Sequence, residues 1–98
     1  MTEHPGIVFK DGPSGRRAAL AFGPDVWEII KFLREIDERG ASAVSAAAEV
    51  LALSEAQLRA AMHYYSAYPA EIDAEIADAD AESRSAESAW KAEQRLLA

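Results

Sequence analysis

Two short runs near the amino terminus have the pattern of β-strands. Ile7 to Lys10 is rich in β-prone residues, and the stretch from Asp11 to Gly15 supplies turn residues. In the run that follows, apolar residues occupy alternate positions at Ala18, Leu20 and Phe22. We therefore expect a β-hairpin whose second strand turns these three side chains toward a core.

The apolar spacing changes to a helical period after Gly23-Pro24. Asp25 with Glu28 three residues later is the signature of a capping box, which marks the start of a helix. Gly40 directly after Arg39 is typical of a left-handed helix stop. Between these signals, apolar residues recur every three or four positions, and the expected core face is Val26, Ile29, Ile30, Leu33 and Ile36.

Two further helices are expected before residue 68. Ala41 to Leu51 is rich in alanine, the strongest helix former, and its apolar side is Val44, Ala47, Ala48 and Leu51. A short connector follows, and Ser54 with Gln57 forms a second capping box. The buried stripe expected for this third helix is Leu58, Ala61, Met62 and Tyr65.

The last third of the chain predicts one more helix. Tyr68-Pro69 is a boundary, because the residue before proline avoids helical backbone while proline suits a first helical position. The thin apolar stripe beyond it favours a tail that is partly disordered on its own. That stripe runs, with one gap, through Ile72, Ile76, Ala79, Ser83, Ala86, Trp90 and Leu97.

Together these elements predict a mainly α fold. It would have an N-terminal β-hairpin, a three-helix body over residues 1–67 and a long acidic helical tail over residues 68–98. The body has the spacing of a helix-turn-helix, which needs small residues at the helix contact and in the turn. Those positions, which any compact three-helix core could also contain, are Ala48, Ala52, Leu53, Leu58 and Ala61.

Composition limits the classes of function. The formal net charge of -7 divides into -2 for residues 1–67 and -5 for residues 68–98, which disfavours nucleic-acid binding by the tail. The absence of cysteine favours a reducing cytoplasmic setting, and we expect neither a metal site nor a cofactor. No apolar run approaches the roughly 18 residues that cross a bilayer, so we expect no membrane contact.

The candidate DNA-binding residues lie on the third helix and beside the hairpin turn. Arg59 is the only basic residue on that helix and is the candidate base reader, although arginine at such a position is more often a solvated surface residue. Arg16 and Arg17 are equally compatible with a phosphate-contacting wing and with a solubilising strand edge. The helix register turns outward Ser54, Glu55, Ala56, Arg59 and His63.

Catalytic patterns are missing from the sequence. It contains no Gly-rich phosphate loop, no nucleophile elbow and no His-x-x-x-His pair, so we do not expect an enzyme. Trp90 instead lies far from the expected core, which favours an anchor in the groove of a partner protein. The alternatives are a tail that folds back on the body or forms a coiled coil with another copy.

Four segments carry a resemblance to a known family: DGPSGRR at residues 11–17, GPDVWE at 23–28, LSEAQLRAAMHYY at 53–65 and YPAEID at 68–73. On these segments the chain resembles bacterial VapB-type antitoxins of a domain-of-unknown-function group, which are encoded beside PIN-like ribonuclease toxins. The resemblance implies a helix-turn-helix half that dimerises and represses its own operon through operator DNA. It also implies a C-terminal segment that binds and blocks the toxin.

The resemblance gives the tail residues an expected role. An acidic tail suits the basic surface that a ribonuclease needs for RNA. One tail cation could reach the carboxylates of its metal centre, and the alternative is that all three cations are ordinary surface charges that balance nearby glutamates. The alternative is a stand-alone transcriptional regulator with an oligomerising tail, which the identity of the neighbouring gene would separate. The expected toxin-binding residues are Ile72, Ile76, Arg84, Trp90, Lys91, Arg95 and Leu97.

Overall fold

The structure is a computed structural model that describes residues 4–12 and 15–98. These residues form two strands followed by helices, as the sequence predicts. The elements are β1 (Ile7–Gly12), β2 (Gly15–Leu20), α1 (Val26–Glu35), α2 (Ala41–Leu51), α3 (Glu55–Ala67) and α4 (Pro69–Leu97). The centre of the predicted turn, Pro13-Ser14, and the first three residues of the predicted body lie outside the described residues.

The hairpin is antiparallel and pairs Ile7 with Leu20 and Phe9 with Ala18. Ile7, Ala18 and Leu20 are buried on one face of the hairpin. Ala19 is buried as well, contrary to the predicted alternation, because the chain after β2 folds back and forms a bridge between Ala19 and Asp25.

The prediction for Phe22 is wrong. The strand ends at Leu20, where the backbone amide of Gly23 donates to the Leu20 carbonyl at 3.1 Å. Phe22 lies in the resulting turn with a φ of 58° and a fully exposed ring. A left-handed conformation is unfavourable for a bulky side chain, so this turn is held by the packing of the residues on either side of it.

The start of α1 is confirmed and its predicted end is wrong. The backbone amide of Asp25 donates to the Glu28 carboxylate at 3.1 Å in the capping box. The helix ends at Glu35 because Ile36 is extended, and the Arg39 guanidinium donates to the carbonyls of residues 36–38. Gly40 has the expected positive φ, 65°, but it precedes α2 as its N-cap.

The connection between α2 and α3 follows the sequence prediction. Ala52 ends α2 in a left-handed conformation, and the Leu53 amide donates to the Ala48 carbonyl at 3.0 Å. The capping box of α3 is formed by the Gln57 amide, 3.1 Å from Ser54 Oγ, and the Ser54 amide, 2.8 Å from Gln57 Oε1. These bonds fix where α3 begins.

The buried face of α3 differs from the predicted stripe. Leu58 and Ala61 are buried as expected, but Tyr64 replaces Met62, which is 37% exposed, and Tyr65 is only partly buried. The difference is due to tertiary packing, because α3 packs against the hairpin and α4 as well as against α1 and α2. Its core face is therefore rotated toward Tyr64.

The first three turns of α4 belong to the body. Ile72 and Ile76 are buried in the same core as α1 and α3. Arg34 of α1 bonds to Asp73, and Lys31 lies 3.0 Å from Asp80, so α4 runs antiparallel to α1. Consequently residues 69–80 pack on the body, and the freely exposed segment begins at residue 81 rather than at the predicted boundary of 68.

The tail is also more ordered than predicted. The helix continues to Leu97 without a break, although every residue from 81 to 98 is exposed. Starting a helix is the costly step, whereas adding residues to an existing helix is nearly neutral. The packed turns of α4 supply that start, and the alanine-rich sequence extends it.

Candidate functional site

The exposed part of α4, residues 81–98, is called here the projecting helix. It carries large apolar side chains that contact no core residue: Trp90 is 59% exposed and Leu97 is 78% exposed. Solvent-exposed tryptophan on a helix is typical of a surface that binds a groove in another protein. The projecting helix is therefore the main candidate binding surface of the described residues.

The projecting helix has no net charge. It contains three acidic and three basic residues: Glu82, Glu87, Glu93, Arg84, Lys91 and Arg95. The acidic character predicted for the tail comes from its packed part, which holds Glu71, Asp73, Glu75, Asp78 and Asp80. The expectation of an acidic cover for a basic surface therefore does not apply to the exposed segment.

The acidic and basic residues of the projecting helix lie on different faces of the helix. Each helical residue advances about 100° around the axis, so Arg84, Lys91 and Arg95 lie within about 40° of one another. We call them the cationic stripe. Trp90 lies about 100° from Lys91, and Glu82 and Glu93 flank Trp90 on its other side. Lys91 also pairs with Glu87 at 3.0 Å, an exposed pair of small energetic value.

Two of the predicted toxin-binding residues are not on this surface. Ile72 and Ile76 are buried against the body, so they are unable to anchor a partner while α4 is packed. The other predicted residues of this set are all exposed on the projecting helix: Arg84, Trp90, Lys91, Arg95 and Leu97.

Acidic residues of the packed segment hold α4 in place. Hydrogen bonds from Arg34 and from the Tyr65 hydroxyl hold the pKa of the Asp73 carboxyl below its ordinary value. Hydrogen bonds to Glu35 and then Asp80 raise the pKa of Lys31. These charges stabilise the junction of α4 with α1 and are already satisfied within the chain.

The hairpin arginines have different environments. Arg17 lies 3.3 Å from the buried carboxylate of Asp25, which also accepts from the indole of Trp27 at 3.3 Å. Arg17 therefore links the hairpin to the start of α1, and part of its charge is already balanced by Asp25. Arg16 is exposed and lies over the Phe9 ring, 4.2 Å from its centroid.

The predicted DNA-reading residues of α3 form one exposed surface: Ser54, Glu55, Arg59 and His63. Arg59 lies 3.7 Å from Glu55, and both side chains are more than half exposed. Such a pair is weak, so Arg59 keeps most of its freedom while its charge is partly balanced. His63 lies toward the C-terminal end of α3, where the centroid of its ring is 5.0 Å from the centroid of the His4 ring.

An aromatic cluster missed by the sequence analysis surrounds that end of α3. It brings together the hairpin side and the start of α4, and its members are His4, Phe9, His63, Tyr64 and Tyr68. The Tyr64 hydroxyl donates to Glu71 at 2.7 Å, and burial followed by this hydrogen bond raises the pKa of Tyr64. Residues 4 and 64 are far apart in sequence, so no local pattern indicates the contact.

A second feature missed from sequence is a groove of about 630 Å³ at the C-terminal end of α1. We call it the arginine groove. Its apolar floor includes Leu33, Val44 and Met62, and three cationic side chains line it: Arg34, Arg39 and Arg59. Helices α1, α2 and α3 all contribute, so the groove exists only after the helices pack.

Within residues 4–12 and 15–98, no three His, Asp or Glu side chains are grouped to hold a metal ion. In the same part of the chain, no helix is long and apolar enough to cross a membrane.

No family model, no curated protein and no solved structure matches this chain. The described residues form a mainly helical protein with an N-terminal hairpin. Its exposed surfaces are the basis for a proposal about function.

Proposed function

We propose that this protein is an antitoxin that binds and inhibits a PIN-like ribonuclease through its projecting helix. The observation that carries the proposal is a helix that continues from residue 81 to Leu97, whose side chains are all exposed and which displays Trp90. Such an arrangement supports helix-in-groove recognition, because the helix is already formed and pays little ordering entropy on binding. The resemblance of the sequence to VapB-type antitoxins supplies the class of partner.

The anchors of this complex are apolar. Trp90 and Leu97 lie on one face of the projecting helix and would fill the floor of a groove on the nuclease. The cationic stripe would face carboxylates, and a PIN-like nuclease has a carboxylate cluster at its metal centre. Because the projecting helix is neutral overall, recognition depends on this matching of faces rather than on bulk negative charge.

Co-expression with the open reading frame next to this gene tests the proposal. We expect the full chain to co-purify with the nuclease and to inhibit RNA cleavage. Truncation after Ser83 should abolish both, while leaving the body folded because Ile72, Ile76 and Asp80 are retained. Trp90→Ala should weaken the complex by about 2 kcal/mol or more, close to 30-fold in Kd.

Ser85→Ala is the matched control, since Ser85 is exposed on the same helix and lies about 140° from Trp90 and at least about 80° from the cationic stripe. It should bind like the parent. Circular dichroism of the truncated chain should show a folded body. A truncated chain that still inhibits the nuclease would refute the proposed role of the projecting helix.

Operator binding is the second part of the proposal. It rests on the exposed face of α3 and on the connection between α2 and α3, Ala52 to Ser54, whose three-residue length suits a helix-turn-helix. Since Arg17 is engaged by Asp25, the remaining contacts are few, and we propose that operator binding needs two copies. Two body units would double the phosphate contacts and match a palindromic operator.

Arg59→Ala should weaken operator binding by about 1 to 3 kcal/mol and relax sequence preference if the guanidinium reads a guanine. The measurement is a fluorescence-anisotropy titration of the promoter upstream of the gene at several salt concentrations. Arg17→Ala is unsuitable as a binding test because it breaks the pair with Asp25. Arg16→Ala should lower affinity about equally for all sequences and reduce the salt slope. Unchanged binding by Arg59→Ala would exclude α3 as the reader.

A further inference from the structure

The arginine groove and the projecting helix lie at opposite ends of the body. Asp73 pairs with Arg34 near the C-terminal end of α1, and α4 then runs back along α1 past Lys31. It leaves the body beside Trp27, near the N-terminal end of α1. The groove lies beside Arg34 and Arg39. The projecting helix therefore points away from the groove of its own chain.

The arginine groove is apolar on its floor and cationic at its rim. Arg39 donates to three backbone carbonyls and pairs with no described carboxylate, and Arg59 has only its weak contact with Glu55. Glu38 is the one acidic side chain among the described residues that line the groove. In a chain of net charge -7, this is a local surface suited to an acidic, apolar ligand.

The Trp90 face of the projecting helix has the complementary character. Glu82 and Glu93 flank Trp90 on one side, and Glu87 flanks it on the other, each within about 80° around the helix axis. The cationic stripe lies on the far side and would remain in solvent. The groove is open to solvent, and its volume of about 630 Å³ is within the range of clefts that bind drug-sized ligands, which leaves room for an indole side chain.

We propose that the projecting helix of one copy docks in the arginine groove of a second copy. Trp90 contacts the floor formed by Leu33 and Met62, and the flanking glutamates face Arg39 and Arg59. The projecting helix is the donor surface and the arginine groove is the acceptor surface. Because the two lie at opposite ends of the body, the contact joins copies head to tail into an assembly that is open at both ends. This association goes beyond the binding of a nuclease, with which it competes for the same helix.

Sedimentation velocity of the purified protein tests the proposal without any nuclease. The mean mass of the parent should rise with concentration past that of a dimer and should fall with added salt. Trp90→Ala removes the donor surface and Met62→Glu blocks the acceptor surface, so each variant alone should be monomeric. Met62 is 37% exposed, so the glutamate is compatible with folding, which circular dichroism checks.

The decisive arm mixes the two variants in equal amounts. The Trp90→Ala chain retains an intact groove and the Met62→Glu chain retains an intact helix, so the mixture should form a one-to-one dimer and grow no further. Ser85→Ala, the control, should assemble like the parent. A mixture that stays monomeric, or a parent dimer that Met62→Glu leaves unchanged, overturns the head-to-tail contact.

The outcome is separable from that of the proposed function. Met62→Glu changes the groove and leaves the projecting helix intact, so a nuclease that binds this helix should still be inhibited by the variant. Loss of self-association with retained inhibition supports both proposals. Self-association without any nuclease binding supports the head-to-tail contact alone.

Discussion

Replacing Leu58 with alanine is expected to lower the free energy of unfolding by about 2 to 5 kcal/mol. Leu58 is fully buried on α3, which packs against α1, α2 and the hairpin. Removing its side chain leaves a cavity that several rigid elements are unable to fill. A small domain has a total stability of about 5 to 15 kcal/mol, so the variant should be close to unfolding.

Thermal and urea unfolding followed by circular dichroism measure the effect. Each kcal/mol should lower the midpoint by about 4 to 8 °C in a domain of this size. Met62→Ala is the matched control, because Met62 is on the same helix, has a similar volume and is 37% exposed. Equal midpoints for the two variants would show that the core face of α3 has been assigned in the wrong register.

The second large effect is expected at Ile72. Ile72→Ala should also destabilise the body by about 2 to 5 kcal/mol, because Ile72 is fully buried in the core that α1 and α3 share. A tail separate from the body, as the sequence alone predicts, would give no such effect. The substitution therefore tests where the body ends.

Leu97→Ala is the control on the same helix, since Leu97 is 78% exposed on the projecting helix. Its unfolding midpoint should equal that of the parent. Urea unfolding supplies a second readout, because the dependence of stability on urea scales with the surface exposed on unfolding. An Ile72→Ala variant as stable as the Leu97→Ala variant would place residues 69–80 outside the cooperative unit.

The position of Ile72 changes the functional interpretation of the whole helix. If α4 had been a free tail, its apolar stripe from Ile72 to Leu97 would have been one long partner-binding surface. The structure divides that stripe at residue 80 into a part that completes the core and a part that is exposed. The proposed partner binding is thereby confined to the projecting helix, whose net charge is zero.

The sequence predicted candidate site residues only where the local pattern of polar and apolar positions determines which side chains are exposed. Arg59 and His63 were expected to face outward and do so, and Trp90 is exposed as expected. The pairing of Arg17 with Asp25 was not predicted, because Asp25 is eight residues away and reaches Arg17 only when the hairpin folds onto α1. The arginine groove escaped prediction since three helices form it.

Local chemistry in the sequence determined most element boundaries. The capping boxes at Asp25 and Ser54 and the break at Tyr68-Pro69 act within a few residues, so they define helix starts before any packing occurs. Alanine-rich composition likewise determined that residues 41–51 and 69–97 are helical.

Tertiary structure decided where the buried surface of an element departs from its local pattern. Tyr64 rather than Met62 enters the core because the hairpin covers that side of α3, and Phe22 is exposed because the chain turns back after Leu20. The acidic residues Asp73 and Asp80 hold α4 to α1 only because Arg34 and Lys31 lie opposite them. A periodic pattern predicts that a helix has an apolar face, but the residues that cover this face are distant in sequence. Only the folded chain therefore determines how much of the apolar face of α4 is covered.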